Sequence, residues 1–296
     1  MSHNSYVHGY TERESQRLVE QSEALTDLLH AGTRYPAGAL VLEAGCGVGA
    51  QTLTLATRSP QARFISVDIS AASLKQARTR IRRSRYANVV FQQADINRLP
   101  FPEHCFDHIF VCFVLEHLAQ PVDSLVRLNG LLKPGGSLTV IEGDHGSTFF
   151  HPSSETALRT VQCLVALQAE TDGDALIGRR LYPLLKAAGF SNVRVVPRMV
   201  YVDASRPDLV QGFTRNTFIA MVNSVRRKAL EQGMMEEAEW QQGIADLERT
   251  TAPDGVFCYT FFKGVAIGYS ARPGKKMLRD DAGVPATFGS IPIKRL

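Results

Sequence analysis

The chain has 296 residues, 44% hydrophobic and 21% charged, which is enough for one α/β domain plus a second lobe or a large insertion. Its formal charge of +4 sits wholly beyond Ala271, where Arg272, Lys275, Lys276, Arg279, Lys294 and Arg295 stand against Asp280 and Asp281; the neutral body argues against a nucleic-acid partner. No run approaches the roughly 18 apolar residues of a membrane span, residues 1–16 lack the apolar core of a signal peptide, and Cys46, Cys105, Cys112, Cys163 and Cys258 form no C-x-x-C pair, so a cytoplasmic protein without disulfide scaffold or metal is expected.

Tyr6, His8 and Tyr10 precede Thr11-Glu12-Arg13-Glu14, a capping box that opens a helix with Leu18, Leu25, Leu28 and Leu29 on one side. Residues 1–36 are therefore an arm and helix able to fold over a site as a lid. A buried strand then ends in "VLEAGCGVGAQTL", where Gly45, Gly47 and Gly49 permit positive φ and close approach of a ligand before a helix begins at Ala50. "RFISVDIS" is a second strand ending in Asp68, with a helix from Ser70 that carries Arg78, Arg80, Arg82, Arg83 and Arg85 as a solvated face. The third strand is Asn88 to Ile96 and the fourth is Asp107 to Phe113. Leu132-Lys133-Pro134-Gly135-Gly136 breaks the next helix before a fifth strand, "SLTVIEG", which closes a core of residues 37–143.

Such alternation of near-continuous apolar strands with helices predicts a parallel sheet covered on both faces, with ligands at the carboxyl ends of its strands. Residues 144–270 change rhythm: helical stretches at Ser153 to Thr171 and Leu176 to Ala188, a strand at Asn192 to Asp203, a helical insertion from about Pro207 to Thr250, and a last strand within "GVFCYTFFKGVAIGY". Two long strands joined by a helical detour would close the sheet and cap its ligand edge. Residues 271–296, punctuated by Pro and Gly, read as a flexible basic tail.

The turn alone leaves two cofactors open. Gly45-x-Gly47-x-x-Ala50 followed by Asp68 also fits a dinucleotide fingerprint, hence an NAD(P)-dependent oxidoreductase. Three features separate the readings: Glu43 before the glycines, Asp95 after the third strand, and the closing strand pair. With E-x-G-C-G-x-G at Glu43–Gly49, D-x-S at Asp68–Ser70 and L-K-P-G-G at Leu132–Gly136, the chain resembles the class I S-adenosylmethionine-dependent methyltransferases, in their small-molecule branch. The resemblance covers Val41 to Gly143 strongly and the flanks loosely.

That resemblance implies a doubly wound, mostly parallel seven-stranded Rossmann-like α/β sheet with helical cap insertions. Its last strand would run antiparallel between the fifth and sixth. It also implies an enzyme that moves a methyl group from S-adenosylmethionine to a small-molecule acceptor, leaving S-adenosylhomocysteine. On this reading Gly45, Cys46, Gly47 and Gly49 let the backbone pass close to the ribose and methionine portions. Asp68 accepts from the ribose hydroxyls. Asp95 accepts from the adenine amino group, Ile96 offers a backbone N–H and Ile69 packs the ring. Glu43 either orders the turn or meets the cationic end of the cofactor. In related enzymes the loop after the fourth strand contacts the methionine part, which assigns Phe113 and His117 there.

Methyl transfer from a sulfonium is an in-line displacement that needs alignment first and a base only for some acceptors. His145, in "IEGDHGS" after the fifth strand, is the candidate base, with Asp144 placed to orient its ring; a structural histidine bonded to backbone is the competing reading. Tyr6 and Tyr10 could lie near the sulfonium as an aromatic lid, or belong to an arm packed on the surface or on a neighbouring subunit of a homo-oligomer. His151 and Tyr201, with Arg179, Arg180, Tyr182, Trp240 and Tyr259, are the polar and aromatic side chains available to an acceptor in the cap. A module that binds S-adenosylmethionine or a metabolite without turnover is the rival from another class, and a nucleic-acid methyltransferase would need the basic tail.

Overall fold

The computed structural model describes residues 25–84 and 86–268. Tyr6, Tyr10, the Thr11–Glu14 capping box, Arg85 and the basic tail lie outside them.

Seven strands form one sheet: β1 (Leu40–Ala44), β2 (Arg63–Asp68), β3 (Val89–Gln93), β4 (Phe106–Cys112), β5 (Leu132–His151), β6 (Ser191–Val202) and β7 (Val256–Ile267). Their order is β3-β2-β1-β4-β5-β7-β6, parallel from β3 to β5, with β7 antiparallel to both of its neighbours. The antiparallel last strand therefore lies between the fifth and sixth, as the family resemblance implies. Strand order reverses between β1 and β4, so a crevice opens beyond their carboxyl ends, where ligands of doubly wound sheets bind.

Helices α1 (Ala50–Arg58), α2 (Ala71–Ser84), α3 (Pro121–Leu131), α4 (Glu155–Ala169), α5 (Leu181–Ala187) and α6 (Glu237–Arg249) cover the sheet. Local chemistry sets their ends. Gly49, at φ 76°, is the left-handed N-cap of α1, Pro121 opens α3, the Ser154 hydroxyl caps α4 by accepting from the Ala157 amide, and Glu236 with Glu239 forms the capping box of α6. Pro207–Leu209, Val210–Ile219, which is π-helical, Ala220–Ser224 and Arg226–Glu231 fill the insertion between β6 and β7.

Each face of the sheet buries its own core. One holds Val41, Phe64, Phe110, Ile141, Phe257, Tyr259 and Phe261 with Phe213, Phe218 and Trp240 from the insertion; the other holds Leu42, Val67, Ile109, Val111, Leu138, Val140 and Leu181. Trp240 is 1% exposed and donates through Nε1 to Asn223, so it is a core residue and not the acceptor contact expected of it. Burial of each such ring contributes about 1.5–3 kcal/mol. Among the described residues no helix is long and apolar enough to cross a membrane.

The main departure from the sequence reading is β5. It does not stop at Gly143 but runs to His151, pairing Gly143 with Phe261 and Asp144 with Thr260, then, after a register shift, Phe149 with Cys258 and His151 with Val256. Asp144, His145 and His151 are consequently strand residues, and β7 carries the sheet beyond its parallel part.

Candidate active site

The glycine turn after β1 uses most of its own donors. The Gly45 and Cys46 amides both bond the Val67 carbonyl, at 2.8 and 2.9 Å; the Gly49 amide bonds Cys46 O at 2.9 Å; the Gly47 amide bonds Asp68 Oδ2 at 2.8 Å. Four of the five amides from Gly45 to Gly49 thus point into protein acceptors. Gly45, Gly47 and Gly49 hold φ values of 82°, 50° and 76°, the left-handed region that other residues avoid.

Glu43 is 2% exposed and lies beneath this turn, its Oε2 accepting from Thr52 at 2.7 Å and Ser66 at 2.6 Å. It therefore ties β1 to α1 and β2, the ordering role among its two expected ones. Burial pushes its carboxyl up to about 7, against the two hydroxyl bonds that pull it down. Asp68, at the end of β2, accepts from Gly47 and, through Oδ1, from Ser70 at 2.8 Å; burial raises its carboxyl above the usual range while these amides oppose the shift. Ile69 is 57% exposed beside it. Asp95 caps the turn Ile96–Arg98 by accepting from the Asn97 amide at 2.8 Å. Asp68 and Asp95 stand at this end of the crevice, and Glu43 lies buried beneath the turn.

Beyond β4 the backbone turns sharply at Phe113, whose φ of 57° is uncommon for an aromatic residue, and its amide bonds Ile141 O at 2.9 Å. The turn Leu115–His117 follows, with His117 Nε2 3.6 Å from Glu116 Oε1. Glu142 of β5 fixes it: buried, it accepts the Val114 amide at 3.1 Å and the Leu115 amide at 2.8 Å through one oxygen. Burial, with Glu116 adding to it, drives the Glu142 carboxyl well above the usual range, against the pull of the amides it accepts. Sequence reasoning did not single out Glu142, although a lone acid in an otherwise apolar strand was the available signal.

Asp144 and His145 do not act on each other. Neighbours on a strand face opposite sides of the sheet, and Asp144 receives Arg179 bidentately, Nε at 2.6 Å and Nη2 at 2.7 Å, while His145 Nδ1 meets the Tyr259 hydroxyl at 2.7 Å on the other face. The expectation that Asp144 orients the His145 ring is therefore corrected: Tyr259 does so, and Arg179 and Asp144 are spent on one another. Tyr259 is accordingly buried and not a free cap contact. Tyr201, 46% exposed, and His151 lie on the face opposite His145, alongside Cys258 and Val256, so the structure does not gather them with the His145–Tyr259 pair.

A family described as Methyltransferase domain matches residues 37–189, just over half of the chain. The chain belongs to the methyltransferase-domain family. It is 32% identical to a trans-aconitate 2-methyltransferase of Methylobacterium radiotolerans over 67% of this chain and 69% of that protein. It is 36% identical to an uncharacterized 37.1 kDa protein in transposon Tn4556 of Streptomyces fradiae, over 61% of this chain and 52% of that one. Several relatives are longer than the match: the chain spans 52%, 35% and 42% of three of them. In fold it resembles phosphoethanolamine N-methyltransferase 2 of Haemonchus contortus, solved with phosphomonomethylethanolamine and S-adenosylhomocysteine, with a TM-score of 0.55, 15% identity, and coverage of 87% of this chain and 58% of that one.

In this methyltransferase domain the glycine turn and the turn after β4 are built against each other. A Cβ on Gly45 would overlap Cγ2 of Val114. Gly45→Ala should therefore destabilise the protein by about 2–4 kcal/mol, combining a strained left-handed backbone with the overlap. Adding Val114→Ala should recover the overlap share alone, read as a partial return of the urea midpoint; a fully neutral Gly45→Ala would show that the two turns do not constrain each other.

Proposed function

We propose that this chain transfers a methyl group from S-adenosylmethionine to a small-molecule acceptor. The observation that carries the reading is how the glycine turn spends its amides. A pyrophosphate needs free N–H donors at the helix start, and a turn that has committed four of five to Val67, Cys46 and Asp68 is poorly equipped for one. A nucleoside without phosphates instead needs acceptors for its hydroxyls and amino group, and a cationic sulfonium is compatible with carboxylates nearby. Asp68 and Asp95 fit that acceptor and charge pattern.

On this reading Asp68 accepts from the ribose hydroxyls, Asp95 from the adenine amino group with Ile96 and Ile69 flanking the ring, and Gly45, Cys46, Gly47 and Gly49 give the nucleoside close passage. Phe113 and His117, held by Glu142, border the methionine end. When bound, S-adenosylmethionine supplies an electrophilic methyl group on sulfur. The chain's own contribution is alignment: a rigid crevice edge, fixed from below by Glu43 and from β5 by Glu142, that holds donor and acceptor in line. Similarity to a trans-aconitate 2-methyltransferase over two thirds of both chains supports an acceptor of metabolite size.

Calorimetric titration tests this directly. S-adenosylmethionine and S-adenosylhomocysteine should bind and reduced nicotinamide dinucleotide should not; binding of the dinucleotide alone would overturn the assignment.

A further inference from the structure

Gln168, in the last turn of α4, lies against the turn that follows β4. It is 1% exposed, and its Nε2 donates at 3.3 Å to both the carbonyl and Oε2 of Glu116. Gly173 permits that approach, since a Cβ there would overlap Glu116 O and the Gln168 side chain, and the Asp174 amide bonds the same Glu116 carbonyl at 2.8 Å. Because Nε2 faces two acceptors, the orientation of the amide is set, and Oε1 is left to its other side. That oxygen is buried and meets no donor in the protein.

Glu142 borders Glu116 from the sheet. Its Oε1 takes the Val114 and Leu115 amides, while Oε2, on a side chain with no exposure, is also without a donor. Two buried oxygens that accept nothing thus flank Glu116, one from β5 and one from α4. The place adjoins the crevice, because Val114, bonded to Glu142, is the residue that abuts Gly45.

A buried oxygen without a donor is costly, and the repulsion between Glu116 and Glu142 adds to that cost. A water or a hydroxyl would supply donors and leave the two acids uncompensated. An ammonium group supplies three donors, no acceptor and a positive charge, and so relieves both costs together.

We propose that Glu142 Oε2, Gln168 Oε1 and the Glu116 carboxylate form a subsite for an ammonium group. Such a group is carried by the methionine portion of S-adenosylmethionine or by an amine acceptor; the choice between these two sources rests on the function proposed above, and the subsite does not.

The first test uses wild type without cofactor, labelled with 13C at the glutamate carboxyls. Methylammonium should shift the Glu142 resonance saturably, and tetramethylammonium, which has no N–H to donate, should leave it in place. Gln168→Met should weaken the methylammonium response by about tenfold, the share of one bond to a charged donor. A Glu142 resonance that methylammonium does not move would overturn the subsite and leave the two acids to share a proton, whether or not the variant folds. Repeating the titration on protein saturated with S-adenosylhomocysteine identifies the source. Loss of the response there, with its retention under the analogue in which hydrogen replaces the α-ammonium, assigns the subsite to the cofactor; retention under both nucleosides assigns it to an amine acceptor. Failure of S-adenosylhomocysteine to bind would remove the methyltransferase reading, and the titration without cofactor would still decide the subsite.

Discussion

Asp68→Ala should weaken S-adenosylhomocysteine binding by about a hundred- to a ten-thousandfold in calorimetry, because on the proposed reading two hydrogen bonds to a charged acceptor, at ~1.5–3 kcal/mol each, disappear together. The same carboxylate also receives the Gly47 and Ser70 amides, so part of that loss would come from a loosened turn. Asp68→Asn divides the two contributions. Its amide oxygen can still take the Gly47 N–H, while the charge toward the ribose is gone, and a loss of about tenfold is expected. Equal binding by wild type and Asp68→Ala would place the ribose elsewhere and remove the main support for the cofactor site.

Asp68 was legible because the residues that define it are local: an apolar strand, an acid at its end, and a helix start two residues later. The glycine turn was legible for the same reason, since positive φ at Gly45, Gly47 and Gly49 is a demand that the chain states directly in its residue types. What lay hidden was long-range. "GDHGSTFF" has the composition of a turn, and its continuation as β5 is imposed by β7, more than a hundred residues away, whose Val256–Cys258 stretch pairs with it. Once that stretch is a strand, alternation sends Asp144 and His145 to opposite faces, and the adjacency that suggested a working pair becomes the reason they are separate. Arg179 and Tyr259, the true partners, carry no signature of the pairing in their own neighbourhoods.

Phe113 and Glu142 illustrate the same limit on a smaller scale. A left-handed aromatic residue contradicts local preference, and it persists where the surroundings over-determine it: the Ile141 carbonyl holds its amide, its ring lies 5.6 Å from that of Phe261, and the next two amides end on Glu142. The turn that borders the crevice is thus shaped by β5 and β7, and the residues within it do not specify its form.

Glu43→Gln carries the second large expected effect, on stability as a function of pH. The Glu43 carboxyl moves from an ordinary 4.5 to about 7 on folding, so between those values the folded chain keeps a proton that the unfolded chain has released. Stability from this group is complete below pH 4.5 and is lost as pH rises to 7, in total about 3 kcal/mol. His30, stacked on Phe110 and bonded through Nε2 to Gln51, works in the opposite sense: burial lowers it from 6.5 to about 4, so the unfolded chain takes up a proton that the folded chain refuses, and stability rises with pH across that interval. In the wild type the two slopes offset one another between pH 4.5 and 6.5. Glu43→Gln preserves an oxygen for Thr52 and Ser66 but removes the acid, and the difference in unfolding free energy, variant minus wild type, should climb by about 3 kcal/mol from pH 4.5 to 7 and then level off. Urea titrations of both proteins at half-unit pH steps measure it. A difference that stays flat would mean that Glu43 remains ionised beneath the turn throughout, and the bonds from Thr52 and Ser66 would then outweigh its burial.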